Sequence, residues 1–526
     1  FAPDDRAAPP QELAPGHLAG ENALEDAYIV VLKEGTDSRS TAAAAGVDLR
    51  YVYETALKGF AAKLTRDQLV ALRRNRAVAF IEQDQVVTGL SDPTPDAALA
   101  TVAATSGTTA YVSQLDGSKC LDVNGAQSSA GTPLILWSCH GGSNQQWTHP
   151  PVGVAREVRV YGDMCLDAYG GKGNDGDAII IWPCHGGANQ RWTLTAAGEL
   201  KGINGKCVDV YGARNADGTP LVLWTCHGGS NQKWQTTGSS SPPPPGDITQ
   251  FMDSDGNPWG LDRIDQRSGP LSNTYTYRAT GSGVYVYVVD TGLEADHPEF
   301  EGRARNVYDA FGGDGSDCNG HGTHVGGIIG GKTFGVAKQV QLRGVKVMDC
   351  DGVGSVSGLI AAVEWVRQNH TDPAVANLSV IGGYSSALNS AVDELANSGV
   401  FVTAAAGNDD DDACNYSPAS ASRAFTVAAS IKGDSRASYS NYGSCVASYA
   451  PGSGIRSADL RGGTATLSGT SMASPHAAGV AALYKEMYGD DSSTILGSWL
   501  RSNATGDVIQ GNVSGTPNRL LYKPLL

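Results

Sequence analysis

Residues 110 to 236 repeat three times, and an internal period restricts what a chain can fold into more than any composition does. Cys120-Leu121-Asp122-Val123, Cys165-Leu166-Asp167-Ala168 and Cys207-Val208-Asp209-Val210 open the units, and Trp137, Trp182 and Trp224 each follow the aspartate by 15 residues. Asn144-Gln145-Gln146-Trp147, Asn189-Gln190-Arg191-Trp192 and Asn231-Gln232-Lys233-Trp234 close them. A unit of 42 to 45 residues made of short strands buries its apolar face only against its copies, and three copies close a pseudo-threefold all-β barrel. Cys120 and Cys139, Cys165 and Cys184, and Cys207 and Cys226 are each 19 apart. Such regularity implies local pairs, each stabilising by about 3 kcal/mol in the chain-entropy view. Cys318, Cys350, Cys414 and Cys445 show no C-x-x-C spacing, so an oxidising, extracellular destination with disulfides is expected rather than a zinc site.

The repeat fills only part of the chain. At 526 residues several domains are expected, since single cores stop growing near 250 to 300. Low-complexity stretches over 89–109 and 237–246 mark linkers, the second a Ser/Pro spacer with four consecutive prolines. Residues 1–26, acidic and rich in Pro and Ala, read as a disordered leader. The formal charge of −16 excludes a protein built to bind phosphate backbones, and no 18-residue apolar run exists to span a membrane. A soluble, secreted monomer is the expectation. Residues 247–526 hold 19 basic and 29 acidic groups, a balance of −10 that places most of the charge there.

Residues 27–88 read as a small α/β unit. Tyr28 to Leu32, Gly59 to Leu64 and Ala77 to Ile81 have strand character, and Thr65 to Arg74 reads as a capped helix.

The chemistry lies in the last 280 residues. Val284 to Val289 is a buried-strand run ending in Asp290-Thr291-Gly292, at the edge where parallel sheets place their sites. Asn319-Gly320-His321-Gly322-Thr323-His324 opens a helix of small residues. Ser468-Gly469-Thr470-Ser471-Met472-Ala473-Ser474-Pro475-His476 leads into an apolar helix expected over Ala477 to Tyr484, with Pro475 confined to its first turn. Ser471 then sits at a helix N-terminus, whose amides favour developing negative charge. His321 and His324 alone also fit an H-x-x-H metal pair, but no third and fourth ligands stand out. The order Asp, His, Ser matches a nucleophilic triad.

These motifs carry resemblances. Y-I-V-x-L-K, G-F-A-A-K-L and I-E-Q-D-Q-V-V resemble the propeptide of subtilisin-like proteases, an intramolecular chaperone and inhibitor of ferredoxin-like fold. That resemblance implies that Gln85 to Thr88 lies along the active-site cleft. The repeated C-L-D, W and Q-x-W residues resemble the ricin-type β-trefoil lectins. They imply sugar sites in which Asp122, Asp167 and Asp209 accept from hydroxyls, Asn144, Asn189 and Asn231 lie nearby, and Trp137, Trp182 and Trp224 stack on the pyranose. The closing tryptophans are expected in the core.

V-V-D-T-G, N-G-H-G-T-H-V-G-G, A-A-A-G-N and G-T-S-M-A-S-P-H-A-A-G resemble the proteinase K branch of the subtilases, and W-G-L-D-R-I-D-Q and P-N-R-L-L-Y resemble its aqualysin-type members. The implied fold is a doubly wound parallel α/β sheet over 247–526. The implied activity is a serine endopeptidase made as a zymogen, with its own propeptide as inhibitor and glycans as partners of the trefoil. By position Ser471 is the nucleophile, His321 the base, Asp290 its orienting partner and Asn408 an oxyanion donor. Substrate lies against Leu378, Ser379, Val380, Ile381 and Gly382, with Ala405, Ala406 and Gly407 walling the primary pocket. Cys318 pairs with Cys350 and Cys414 with Cys445. A structural calcium is implied at Asp262, Asp265, Gln266, Ser272 and Thr274. Two positions depart from the family: Ile381 stands where a glycine is usual, and Ala447 replaces an aspartate that anchors a tight calcium site with the carbonyls of Ser422 and Ala424. A glycan-binding protein with an inactive or gated protease-like half is the alternative function.

Overall fold

A computed structural model describes residues 13–89, 108–236 and 248–526, apart from residues 18, 19, 21, 116, 141, 149–154, 196, 254 and 525. Both expected linkers, save residues 89, 108 and 109 of the first, and the first twelve residues of the expected leader lie outside the described residues. The chain forms two compact units, one joining the N-terminal segment to most of the C-terminal half and one built around residues 108–236.

In the first unit, Ala23–Leu32, Tyr51–Tyr53, Gly59–Lys63 and Val78–Gly89 form an antiparallel sheet in the order last, first, third, second, with helices Ser38–Ala44 and Arg66–Arg74 in the two crossovers. The Arg66–Arg74 helix starts where the sequence places it: Thr65 accepts from the Gln68 amide and Gln68 reciprocates, a capping box. Part of the stretch read as a leader is structured, because Gly16–His17 pairs in parallel with Ile81 and Glu82 and the first long strand begins at Ala23.

The C-terminal half carries a parallel sheet in the spatial order Ala304–Asp309, Gln341–Lys346, Tyr285–Asp290, Ala374–Leu378, Phe401–Ala405, Phe425–Ile431 and Ser448–Pro451. The connection from Tyr285–Asp290 runs to the edge strand Ala304–Asp309, and those from the adjacent Ala374–Leu378 onward run the other way, so the carboxyl ends of these two neighbouring strands mark the topological switch point, where open α/β sheets form their crevice. Helices Val356–Asn369 and Ser386–Asn397 bury Leu359, Val363, Leu388 and Val392 on one face. Helices His321–Gly330 and Thr470–Tyr488 pack on one another and against the sheet.

In the second unit each repeat pairs its opening strand with its tryptophan strand: Lys119–Val123 with Leu134–Ser138, Met164–Ala168 with Ile179–Pro183, and Cys207–Val210 with Thr219–Trp224. Trp147, Trp192 and Trp234 fill the shared core and donate their indole N–H to the carbonyls of Leu121, Leu166 and Val208 at 3.1, 2.8 and 3.2 Å. A buried indole needs such a partner, and the repeat supplies the same one three times. The ten cysteines form five disulfides, 120–139, 165–184, 207–226, 318–350 and 414–445.

Candidate active site and sugar pockets

Asp290 ends its strand fully buried, and its Oδ1 lies 2.7 Å from Nδ1 of His321 and accepts from the Thr291 amide at 2.7 Å. His321 opens its helix, which Asp317 caps by accepting from the amides of Asn319, Gly320 and Thr323 and from the Thr291 and Thr323 hydroxyls. Burial opposes the imidazolium, but the charge and hydrogen bond of Asp290, with Asp317 beyond, prevail and hold the His321 pKa above its ordinary value. His324 differs. Its Nε2 faces the carbonyls of Ile455 and Ala465 at 3.1 and 3.2 Å, and burial drives its pKa to about 3. It is a neutral donor tying the helix to a hairpin rather than half of a metal pair.

The helix bearing Ser471 begins at Thr470, seven residues before the expected start, so Pro475 lies in its second turn. A proline there leaves the carbonyl four residues earlier without its amide donor. That carbonyl belongs to Ser471, and the Ser379 hydroxyl donates to it at 3.0 Å. The Ser379 side chain, between the strands Ala374–Leu378 and Val380–Gly383, therefore offsets the defect at Ser471. The Ser471 hydroxyl donates to the Ser379 carbonyl at 3.3 Å, while His321 Nε2 has no hydrogen-bond partner among the described residues. A bond between the Ser471 hydroxyl and His321 is thus not made in this conformation. Asn408 accepts from the Thr470 amide and hydroxyl at 2.9 Å each, which leaves its buried Nδ2 without a partner among the described residues. A fixed amide with an unused donor beside a helix N-terminus is the arrangement an oxyanion requires.

The strand Val78–Gly89 runs between two edges of this site, opposing Val353–Ser355 on one side and Val380 and Ile381 on the other. Two of its carboxylates cap helices of the larger domain. Asp84 accepts from the Ser357 amide and hydroxyl at 3.0 and 2.5 Å, and Glu82 from the Ser386 amide and the Ser385 and Ser386 hydroxyls at 2.9, 2.7 and 2.8 Å. In return Glu364 accepts from the amides of Glu54, Thr55 and Ala56. Ala405, Ala406 and Gly407 succeed one another at the end of their strand, all buried.

In the second unit the three repeats build the same pocket. Asp122, Asp167 and Asp209 are buried, and each accepts from the Asn and Gln of its own closing motif: Asn144 and Gln145 at 2.8 and 2.7 Å, Asn189 and Gln190 at 2.9 Å each, Asn231 and Gln232 at 2.9 and 2.7 Å. Trp137, Trp182 and Trp224 stay 41, 42 and 37% exposed although they flank a core. Sequence reasoning missed His140, His185 and His227, whose Nε2 atoms lie 3.4 to 3.5 Å from the three carboxylates. The signal was present, since W-x-C-H-G-G recurs in each repeat.

Three family models match the chain: the Subtilase family over residues 281–519, the Ricin-type beta-trefoil lectin domain over 108–234 and the Peptidase inhibitor I9 over 27–89. The Cuticle-degrading protease of Metarhizium anisopliae is 47% identical over 281 residues, 52% of this chain and 72% of that one. The chain belongs to the subtilase family. It is also 54% identical over 270 residues to the Extracellular serine proteinase of Thermus sp. (strain Rt41A), covering 51% of this chain and 66% of that one. With the Alkaline serine exoprotease A of Vibrio alginolyticus the figures are 52% over 267 residues, and half of each chain. The chain thus spans between half and two thirds of the length of these last two relatives. A crystal structure of a cold adapted subtilisin-like serine proteinase matches at 50% identity and a TM-score of 0.50, over 50% of this chain and 97% of that one.

Subtilases commonly hold structural calcium, and the donor chemistry here suits a hard cation, being all oxygen. Asp262 is buried on the helix Trp259–Ile264, with Asp265 at its C-cap, and the Gln266 carbonyl accepts from Arg263 Nη1 at 2.6 Å. The Ser272 and Thr274 hydroxyls lie 2.8 Å apart. Where the resemblance to aqualysin-type members implies an aspartate, Ala447 is buried, and the Ser422 hydroxyl and Arg423 amide donate to Asp393 at 2.7 and 2.8 Å. A carboxylate from a neighbouring helix ties that loop.

Proposed function

We propose that the chain is the precursor of a secreted, monomeric serine endopeptidase. In this reading 27–88 is a ferredoxin-like propeptide after a leader, 110–236 a sugar-binding trefoil between two linkers, and 247–526 the peptidase. The β-α-β-β-α-β order of the first segment supports its part. The observation that carries the proposal is the buried Asp290–His321 pair at the sheet's switch point, facing a helix start that bears Ser471 and the unused amide of Asn408. His321 takes the Ser471 proton as the hydroxyl attacks a peptide carbonyl, and returns it to the leaving amine. Asp290 orients the imidazole and stabilises its cation, and the Ser471 and Asn408 N–H groups receive the oxyanion. Ser379 to Gly382 hold substrate as an added strand. Asp262, Asp265, Gln266, Ser272 and Thr274 would hold calcium for stability, outside the chemistry. The sugar reading rests on three buried carboxylates, each accepting from two side-chain amides and each in a repeat with an exposed tryptophan.

A fluorophosphonate is expected to label Ser471, and Ser471→Ala to abolish both casein hydrolysis and self-processing. Persistent processing in that variant, with outside proteases excluded, would sink the proposal. The unmade Ser471–His321 bond favours a second reading, a glycan-binding protein with a gated protease half. A processed chain that binds galactose-type ligands yet cleaves no peptide would establish it.

A further inference from the structure

The residue that departs from the family at the substrate strand also decides what the site admits. Gly382 and Gly383 are bare where the docked strand needs room: a Cβ on Gly382 would stand 3.0 Å from Val87 Cγ1, and one on Gly383 2.6 Å from Gln85 Oε1. Ile381, beside them and opposite Thr88, is not bare. Only 7% of it is exposed, and it packs with Ala405 and Tyr416 in a small cluster of its own. Its Cδ1 lies 2.5 Å from where a Cβ on Gly407 would stand, at a glycine whose φ is +110°. Gly407 cannot acquire a side chain while Ile381 keeps this position. The branched side chain therefore spans from the substrate strand to the opposite wall, Ala405 to Gly407, and takes the volume that a glycine at 381 would leave open.

Resting on the peptidase reading above, we propose that Ile381 fills the primary specificity pocket and restricts the enzyme to peptide bonds preceded by glycine or alanine. A hydrogen or a methyl group fits beside Ile381 without moving it. A phenylalanine or leucine would have to displace a side chain already packed on Ala405 and Tyr416, and overpacking a filled site disfavours the larger group by roughly 10- to 100-fold.

The processed enzyme, its active sites counted by fluorophosphonate, is assayed on succinyl-Ala-Ala-Pro-X-p-nitroanilides with X as alanine, leucine or phenylalanine. The expected kcat/KM for alanine exceeds that for phenylalanine at least 10-fold. Ile381→Gly is expected to raise the phenylalanine-to-alanine ratio of kcat/KM at least 10-fold, with Ile381→Ala raising it less and available should the glycine variant fail to fold. Wild-type preference for phenylalanine or leucine, an unchanged ratio in either variant, or labelling of Ser471 without cleavage of the alanine substrate overturns the inference while the peptidase reading stands. Absence of both label and cleavage overturns the two together.

Discussion

At the scale of single residues the site is a set of compensations. His321 must be neutral to accept a proton, yet the charge of Asp290 favours its cation and raises its pKa. Activity is therefore expected to fall as pH drops through a value above the ordinary histidine range. In Asp290→Asn the acid limb moves to lower pH while turnover falls on the order of 10⁴-fold, because the imidazole loses both its orientation and the stabilisation of its cation. A pH profile of kcat/KM for both proteins checks the sign. Asn408→Ala is expected to lower kcat about 10²- to 10³-fold with KM little changed, since the lost donor acts on charge that develops only during reaction. The places of Asp290, His321, Asn408 and Ser471 in the fold were legible in the sequence, because short rigid motifs set a side chain at or just beyond a strand's end or at a helix's start. The Ser379 hydroxyl was not. Its partner is the Ser471 carbonyl, freed by a proline 96 residues further along, and no local pattern joins the two. Nor could the sequence tell whether Ile381 turns toward substrate or into the opposite wall, which depends on Gly407 and Tyr416 meeting it in space.

At the scale of elements, helix ends govern docking and repeat junctions govern the trefoil. The helices Val356–Asn369 and Ser386–Asn397 each have a serine N-cap of their own, and Asp84 and Glu82 satisfy further amides at the same ends. Charged hydrogen bonds of this kind stabilise by about 1.5 to 3 kcal/mol, so Asp84→Ala is expected to weaken inhibition by separately added residues 13–89 by roughly 10- to 100-fold. A slow-binding assay against the mature enzyme measures it. In the trefoil, Asp217 accepts from the Ser138 amide and Lys119, and Asp175 from the Thr225 amide and Lys206, so two junctions between repeats carry the same clamp. The third junction lacks every part of it: Ala130 replaces the aspartate, Pro183 has no amide hydrogen to give, and Met164 replaces the lysine. The backbone bonds from Gly131, Gly176 and Gly218 remain at all three. Asp217→Ala is expected to lower the melting temperature of the trefoil, whereas Ala130→Asp brings no gain. Calorimetry showing a gain from Ala130→Asp would refute the account. The threefold period was readable at once; the broken junction required knowing which repeat faces which.

At the scale of the whole molecule, chain order decides what maturation leaves behind. The docked strand reaches Gly89, opposite Val380, and the trefoil begins beyond it and precedes the peptidase. In the proposed reading, a cut by Ser471 just beyond this strand therefore falls between residues 27–88 and the trefoil. On that same reading the inhibitory segment is then separated, while the proposed sugar-binding segment stays covalently joined to the enzyme. The active species is expected to start shortly after Gly89, to retain the three disulfides of the repeats, and to be held on immobilised galactose and released by free sugar. Its kinetics on short peptides are expected to match those of a form cleaved near Gly246, because none of the residues proposed for the chemistry lies in 108–236. Turnover of a glycosylated protein is expected to differ, since there the trefoil raises the local concentration of substrate. N-terminal sequencing of the active band decides the order of events: a start near residue 247 in the first active species would show that the trefoil is discarded with the propeptide, and would remove the case for glycan targeting.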